Sequence, residues 1–371
     1  MSWFLTLISK AVKRANRLTN IEKLQAKIGD FCDCAIITSD VNRRYFTDMK
    51  SSAGTVVVFP DKAYLIIDFR YIEKAKSKVK ACEVIEQQRL FHQINGLLKK
   101  HGAKRIAIES DYLTVSGLID FKANLKGKII ADKELSRLIT SLRTVKSDEE
   151  IQKIEKAQRI AEKAFSELLN FIKAGKNERE IALKLDSLML ENGAEALSFE
   201  TIVLSGKNTS MPHGVPSDKK VEQGDFVLMD FGAVYDGYHS DMTRTVCVGE
   251  PTDKQRKIYD IVLNAQKQCI DFAKAGISGS QLDKIARDII SNEGYGECFG
   301  HSLGHGVGLE IHEFPNASPN SDYGLLKNSV VTIEPGIYIE GEFGVRIEDF
   351  VVLKENGCEN LTKAPKELII L

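Results

Sequence analysis

The chain reads as an α/β domain followed by an α+β domain, and three observations carry that reading. Its 371 residues suit two domains or three at about 150 residues each. Over the first 130 or so residues, short β-branched segments alternate with helical ones. Beyond residue 147 the alternation gives way to long hairpins and pairs of helices.

In the first domain, residues 34–38, 55–59, 64–68, 82–86, 105–109 and 128–131 read as strands. They are short and bounded by turn chemistry such as Pro60-Asp61. Residues 69–77, 90–100 and 114–123 read as the helices packed on that sheet. Between them, Arg43-Arg44 within Asp40–Thr47 reads as a solvated charged turn. The alternative is a segment that lines a substrate pocket or meets a neighbouring subunit. The boundaries expected are residues 1–18 as an N-terminal extension, 19–135 as the first domain, 136–146 as a linker and 147–371 as the second domain. In the second, Ser147 and Glu150 make a capping box for a long helix to about Lys173. A second helix is expected over 177–191, ended by Asn192-Gly193. Hairpins are expected over 197–206, 226–249 and 329–353, and helices over 252–274 and 279–292.

Composition excludes several classes. Lysine plus arginine is 51 and aspartate plus glutamate 52, so the chain is no general polyanion binder and nucleic acid is not an expected partner. No apolar run approaches the roughly 18 residues of a membrane span. The seven cysteines are odd in number, scattered and without a Cys-x-x-Cys pair. That argues against a zinc ribbon or a disulfide framework and points to the cytoplasm. Near the N-terminus, Trp3 to Ile8 precede Lys10, Lys13, Arg14 and Arg17, the reverse of a secretion signal. Residues 1–18 therefore read as an amphipathic extension or an early start codon, without stable membrane association; the alternative is a weak membrane-surface helix.

The chemistry lies in the second half. An apolar strand ends at Asp230, and Asp236-Gly237 is a strong two-residue turn. With the turn there, Asp230 faces Thr243, and Asp241 is its diagonal neighbour, roughly 7–8 Å away. Two such carboxylates repel unless a cation lies between them; the bland alternative is two solvated aspartates. Three of the seven histidines, His301, His305 and His312, fall in one glycine-rich stretch. Alone, each would more often be a core residue; together they suggest a site. Glu334 ends another apolar strand, and Arg346 and Glu348 share a strand face. For Glu348 alone, an ion pair with Arg346 is the simpler reading. Taken together, Asp230, Asp241, His305, Glu334 and Glu348 form a hard, oxygen-rich set suited to two first-row ions such as Mn²⁺. Such a pair of ions acidifies a water, so the set reads as a dinuclear hydrolase centre.

Asp230 and Asp241 eleven apart, Gly304-His305-Gly306, Glu334-Pro335-Gly336 and Arg346-Ile347-Glu348 resemble the pita-bread metallopeptidases, the family of methionine aminopeptidase, aminopeptidase P and prolidase. The resemblance runs from about Asn20 to the end. It implies a creatinase/prolidase-like N-terminal domain and a pita-bread catalytic domain. It further implies that Asp230 binds one metal, that Asp241 and Glu348 bridge two, and that His305 and Glu334 each hold one. Glu334 would also take the proton of a metal-bridging water. By the same resemblance His213, in Pro212-His213-Gly214, contacts the substrate, and His312 stabilises the oxyanion. Tyr338 and Arg346 would orient the ligands. His301, four before the metal histidine, and the N-terminal domain resemble the proline-specific branch, and His301 joins the catalytic set on that ground. The activity implied is an Xaa-Pro aminopeptidase that hydrolyses the bond between an N-terminal residue and proline by a metal-bridging hydroxide. The alternatives are a strict Xaa-Pro dipeptidase and a non-catalytic peptide-binding scaffold of the same fold. The ions implied are Mn²⁺ first, with Co²⁺ or Zn²⁺ as alternatives. The partners implied are peptides with proline second and another copy of the chain in a homodimer.

Overall fold

The computed structural model describes residues 18–371, so the extension expected over 1–18 lies, Leu18 aside, outside the described residues. Contacts divide the chain into two units, one ending at Arg143 and one running from Thr144 to Leu371.

The first unit opens on α1 (Asn20–Ile28), where Thr19 and Glu22 form a reciprocal capping box. There follow β1 (Cys34–Ile37), α2 (Asp40–Thr47), β2 (Thr55–Val58), β3 (Ala63–Ile67), α3 (Ile72–Lys78), β4 (Glu83–Glu86), α4 (Leu90–His101), β5 (Arg105–Ile108), α5 (Val115–Asn124), β6 (Lys128–Ile130) and α6 (Glu134–Thr144). The sheet order is β4-β3-β2-β1-β5-β6. Neighbours are antiparallel along β1-β2-β3 and parallel elsewhere. All six expected strands are present, and this is the α/β half that the alternation predicts.

Two local expectations fail. The segment expected as a linker over 136–146 is helical as far as Thr144, because Leu135 and Ile139 form an apolar stripe that is buried. The supposed charged turn at 40–47 is a helix, capped by the Ser39 side chain. Arg43 is only 1 % exposed. Its guanidinium donates to the carbonyls of Thr38, Ser51 and Gly54 and to Ser51 Oγ, and pairs with Asp40. Glu109, also buried, accepts from the amides of Thr38 and Ser39, from Ser39 Oγ and from Asn42 Nδ2. A carboxylate there satisfies the orphan donors at the start of α2 and complements its dipole.

The second unit runs α7 (Asp148–Leu168), α8 (Glu178–Glu191), β7 (Ala196–Leu197), β8 (Ile202–Ser205), β9 (Phe226–Phe231), β10 (Ala233–Tyr235), β11 (Tyr238–His239), β12 (Met242–Cys247), α9 (Asp253–Phe272), α10 (Gly279–Asn292), β13 (Gly304–Gly306), β14 (Glu313–Ala317), β15 (Val330–Ile333), β16 (Gly336–Ile339), β17 (Phe343–Arg346), β18 (Asp349–Lys354) and β19 (Gly357–Asn360). Capping boxes at Ser147 and Asn177 start α7 and α8. The hairpin expected over 197–206 does not form: β7 pairs with β10, and β8 with β9. The other two form, with β15 meeting β18 across an inserted β16–β17 hairpin.

Strand alternation aims the polar residues. Val227, Met229 and Phe231 pack into the core with α7 and α8, so Asp230 faces away from those helices. Val331 and Ile333 of β15, and Val345, Ile347, Val351 and Leu353 further on, pack with α9 and α10. Glu334, Arg346 and Glu348 alternate with them and fall on the other face. Among the described residues no helix is long and apolar enough to cross a membrane.

The buried Arg43 gives a test of the first unit. Arg43→Met removes the donors of three buried carbonyls and is expected to destabilise the protein by about 3 kcal/mol. Lys99→Met, at an exposed position of α4, should stay within about 0.5 kcal/mol. Urea unfolding of the two variants checks the contrast.

Candidate metal centre

A two-residue turn sets the first pair of acids. Asp236 and Gly237 both take positive φ, 44° and 79°, as the tight hairpin turn requires. The expected register follows, with Thr243 opposite Asp230 and His239 opposite Val234. Asp241 lies just before β12 and is buried.

The histidine comes from β13. A Cβ on Gly304 would stand 2.0 Å from the carbonyl oxygen of Thr332, and one on Gly306 2.6 Å from that of Glu313. Only glycine lets this short strand press between β14 and β15. His305 is thereby held with Nδ1 3.1 Å from its neighbour's carbonyl, at Gly306. That carbonyl can only accept, so Nδ1 carries the hydrogen and Nε2 presents a lone pair. Nε2 lies 3.5 Å from Asp241 Oδ2 and 3.4 Å from Glu334 Oε1. Burial, with His312 beside it, pushes the His305 pKa down to about 4. The ring centroids of His305 and His312 are 4.3 Å apart.

Ligand atoms of Asp241, His305 and Glu348 all fall within 4.8 Å of one another. Glu348 is 1 % exposed; its Oε2 accepts from Thr243 Oγ1 at 2.8 Å. Thr332 Oγ1 donates to Glu334 Oε1 at 3.1 Å. Asp230 Oδ1 and Glu348 Oε1 are buried without a hydrogen-bond partner. Burial and then the neighbouring acids Asp230 and Glu334 raise the Asp241 carboxyl well above its ordinary range. Burial and then Asp241, Glu334 and Asp230 do the same to Glu348. Burial pushes Glu334 up to about 8, against the pull of Arg346. Acids that resist ionisation together, two orphaned carboxylate oxygens and an imidazole lone pair aimed among them fit divalent cations.

Arg346 shares the expected face with Glu348 but does not pair with it. Its Nη2 meets Asp230 Oδ2 at 2.6 Å, Nη1 donates to Tyr338 Oη at 2.8 Å and Nε to Thr243 Oγ1 at 3.0 Å. The Thr243 hydroxyl comes between the guanidinium and Glu348, receiving from one and donating to the other. His301 Nε2 is 2.9 Å from Tyr338 Oη, and its Nδ1 is 2.8 Å from the Ser302 carbonyl. A chain of hydrogen bonds thus links Asp230, Arg346, Tyr338, His301 and Ser302. Burial lowers the His301 pKa to about 4 and raises that of Tyr338 to about 12.

Asp230, Asp241, His301, His305, Glu334, Arg346 and Glu348 open on one cavity of about 600 Å³, also lined by His213 and His312. Every sequence-predicted site residue except Tyr338 lines it, and Tyr338 lies behind Arg346 and His301. Sequence reasoning missed the hydroxyls of Thr243 and Thr332 that orient two of the acids. Thr243 was within reach, since the hairpin register already set it opposite Asp230. It also missed the lining residues Phe199, Glu200 and Ile202, which carry no motif of their own.

Comparison with known proteins agrees with this architecture. The model of Metallopeptidase family M24 matches residues 152–355, and that of the Creatinase/Prolidase N-terminal domain matches 17–145. The Xaa-Pro dipeptidase of Pyrococcus furiosus is 45% identical over 338 residues, 91% of this chain and 95% of that protein. A solved Xaa-Pro dipeptidase from Bacillus anthracis superposes with a TM-score of 0.91 at 42% identity, covering 95% of this chain and 99% of that one. The X-Pro aminopeptidase from Thermotoga maritima gives 0.86 at 40% identity, over 92% and 98%. With both of its domains matched and its acids converging as described, the chain belongs to metallopeptidase family M24 and is an enzyme with the pita-bread catalytic domain and a creatinase/prolidase N-terminal domain.

Proposed function

We propose that the chain is an Xaa-Pro aminopeptidase, hydrolysing the bond between an N-terminal residue and proline. Proline in second position is supported by the names of its relatives, among them dipeptidases and an aminopeptidase for such bonds. One observation carries the choice of aminopeptidase. Among the described residues Arg346 is the only lysine or arginine lining the cavity, it is 3 % exposed, and all three of its side-chain nitrogens are engaged. A strict dipeptidase is best served by a free cation for the carboxylate of its proline, and the described lining residues offer no free lysine or arginine. The second reading, a strict dipeptidase, is favoured by the relatives named for that activity.

Asp230, Asp241, His305, Glu334 and Glu348 would hold two divalent cations, Mn²⁺ first. When bound, these supply a Lewis acid for the scissile carbonyl and acidify a water towards neutrality. Glu334 would take one proton from the attacking water, whose oxygen bonds to the scissile carbonyl carbon before the C–N bond breaks. Its Oε1 is occupied by Thr332 and faces His305, so Oε2 carries the proton. The proton then passes to the proline nitrogen, a tertiary amide with no hydrogen of its own, which leaves as a secondary amine. His312 donates to the developing oxyanion, and His213 contacts the substrate beside the scissile bond. His301, with both ring nitrogens engaged, acts through Tyr338 on Arg346 and Asp230. Pro212 and Ile311 give the proline ring an apolar wall.

Three outcomes test this reading. Exhaustive dialysis against EDTA should abolish cleavage of Ala-Pro-Ala, with Mn²⁺ or Co²⁺ restoring it better than Mg²⁺; full activity in the stripped protein would sink the metal assignment. Asp241→Ala should lose metal by elemental analysis. His312→Ala should keep its metal while kcat falls by about 100-fold, the scale of a lost oxyanion donor. Finally, both Ala-Pro and Ala-Pro-Ala should be cleaved. Turnover of the dipeptide without detectable turnover of the tripeptide would make the enzyme a strict dipeptidase.

A further inference from the structure

Thr201 lies immediately before β8. Its hydroxyl donates to Asp186 Oδ1 of α8 at 2.5 Å, so its side chain turns towards the helix. In extended chain the neighbours of such a residue point the other way, and Glu200 and Ile202 both line the cavity. Ile202 pairs with Asp230 in the β8–β9 ladder. Glu200, two residues before Ile202 and ahead of the strand, stands on the same cavity wall. It is exposed, and no hydrogen bond or ion pair engages it among the described residues. Phe199 and Ile202, on either side of it, present apolar surface to the same cavity.

Its lack of a local partner singles Glu200 out. The other four acids lining the cavity are those assigned to the cations, and two divalent ions match them. Arg346 is spent on Asp230, Tyr338 and Thr243. Glu200 is then the one acid in the lining outside that set, and no hydrogen bond or ion pair engages it among the described residues. A carboxylate beside an apolar wall suits a long aliphatic stem that ends in a positive charge. The geometry points to Glu200 as a specificity residue of the proposed peptidase, forming a subsite for a lysine or arginine side chain of the peptide. This rests on the Xaa-Pro reading.

Two matched pairs of peptides test it in the Mn²⁺-loaded enzyme: Lys-Pro-Ala against norleucine-Pro-Ala, and Ala-Pro-Lys against Ala-Pro-norleucine. Norleucine keeps the stem and removes the charge. The charged member of one pair should be preferred by about fivefold in kcat/KM, the size of a partly solvated ion pair. The preference should lie in KM, shrink in high salt, vanish in Glu200→Gln and survive in Glu200→Asp. The pair that responds tells which end of the peptide Glu200 meets. No preference in either pair, a preference that persists in Glu200→Gln, or an equal loss on charged and neutral members would overturn the subsite. An enzyme that cleaves Met-Ala-Ala but none of the four proline peptides would instead refute the Xaa-Pro reading.

Discussion

The fold brings Asp230, Asp241, Glu334 and Glu348 into one pocket, the second and fourth buried and the others half-buried, and like charge at that range is the constraint around which the second unit is arranged. Two charges about 4 Å apart interact by about 4 kcal/mol at an effective dielectric of about 20. Several such pairs would exceed the roughly 5–15 kcal/mol by which a domain is stable. The acids must share protons or receive cations. The protein itself supplies one buried guanidinium, at Asp230, and two threonine hydroxyls, at Glu348 and Glu334. That leaves a deficit of positive charge centred where His305 presents its lone pair, so the same repulsion that threatens the fold creates the affinity for metal.

The helices make the arrangement affordable. Each helix pair takes the apolar face of its strands, through Val227, Met229 and Phe231 on one side and Val331, Ile333, Val345 and Val351 on the other. The polar face is then fixed by parity rather than by contacts of its own. A slip of one residue in β9 would turn Asp230 into the core against α7 and bring Met229 to the cavity. The Asp236-Gly237 turn, whose positive φ angles few other pairs would tolerate, guards against that slip.

Much of this was legible because it is local. The turn, the capping boxes at Ser147 and Asn177 and the period-two strands all follow from residues a few positions apart. What escaped depends on distant partners. Two adjacent arginines within a polar octapeptide look solvated, and nothing nearby reveals that carbonyls of Ser51 and Gly54 surround Arg43, or that Glu109 caps α2. Arg346 had two acids within reach on paper, and only the packed structure puts Thr243 between it and Glu348. The site was legible through its ligand chemistry; its walls were not, since Phe199 and Ile202 differ in no visible way from core residues.

The hydrogen-bond chain behind Asp230 has a direction. Arginine can only donate, and the Ser302 carbonyl at the other end can only accept. Every bond from Arg346 through Tyr338 and His301 therefore points away from Asp230. A proton wire needs each member to receive as well as give, and the guanidinium cannot receive. The chain consequently holds Asp230 in place and carries no proton to or from it, although Arg346 and Asp230 still act through space on the Glu334 carboxyl.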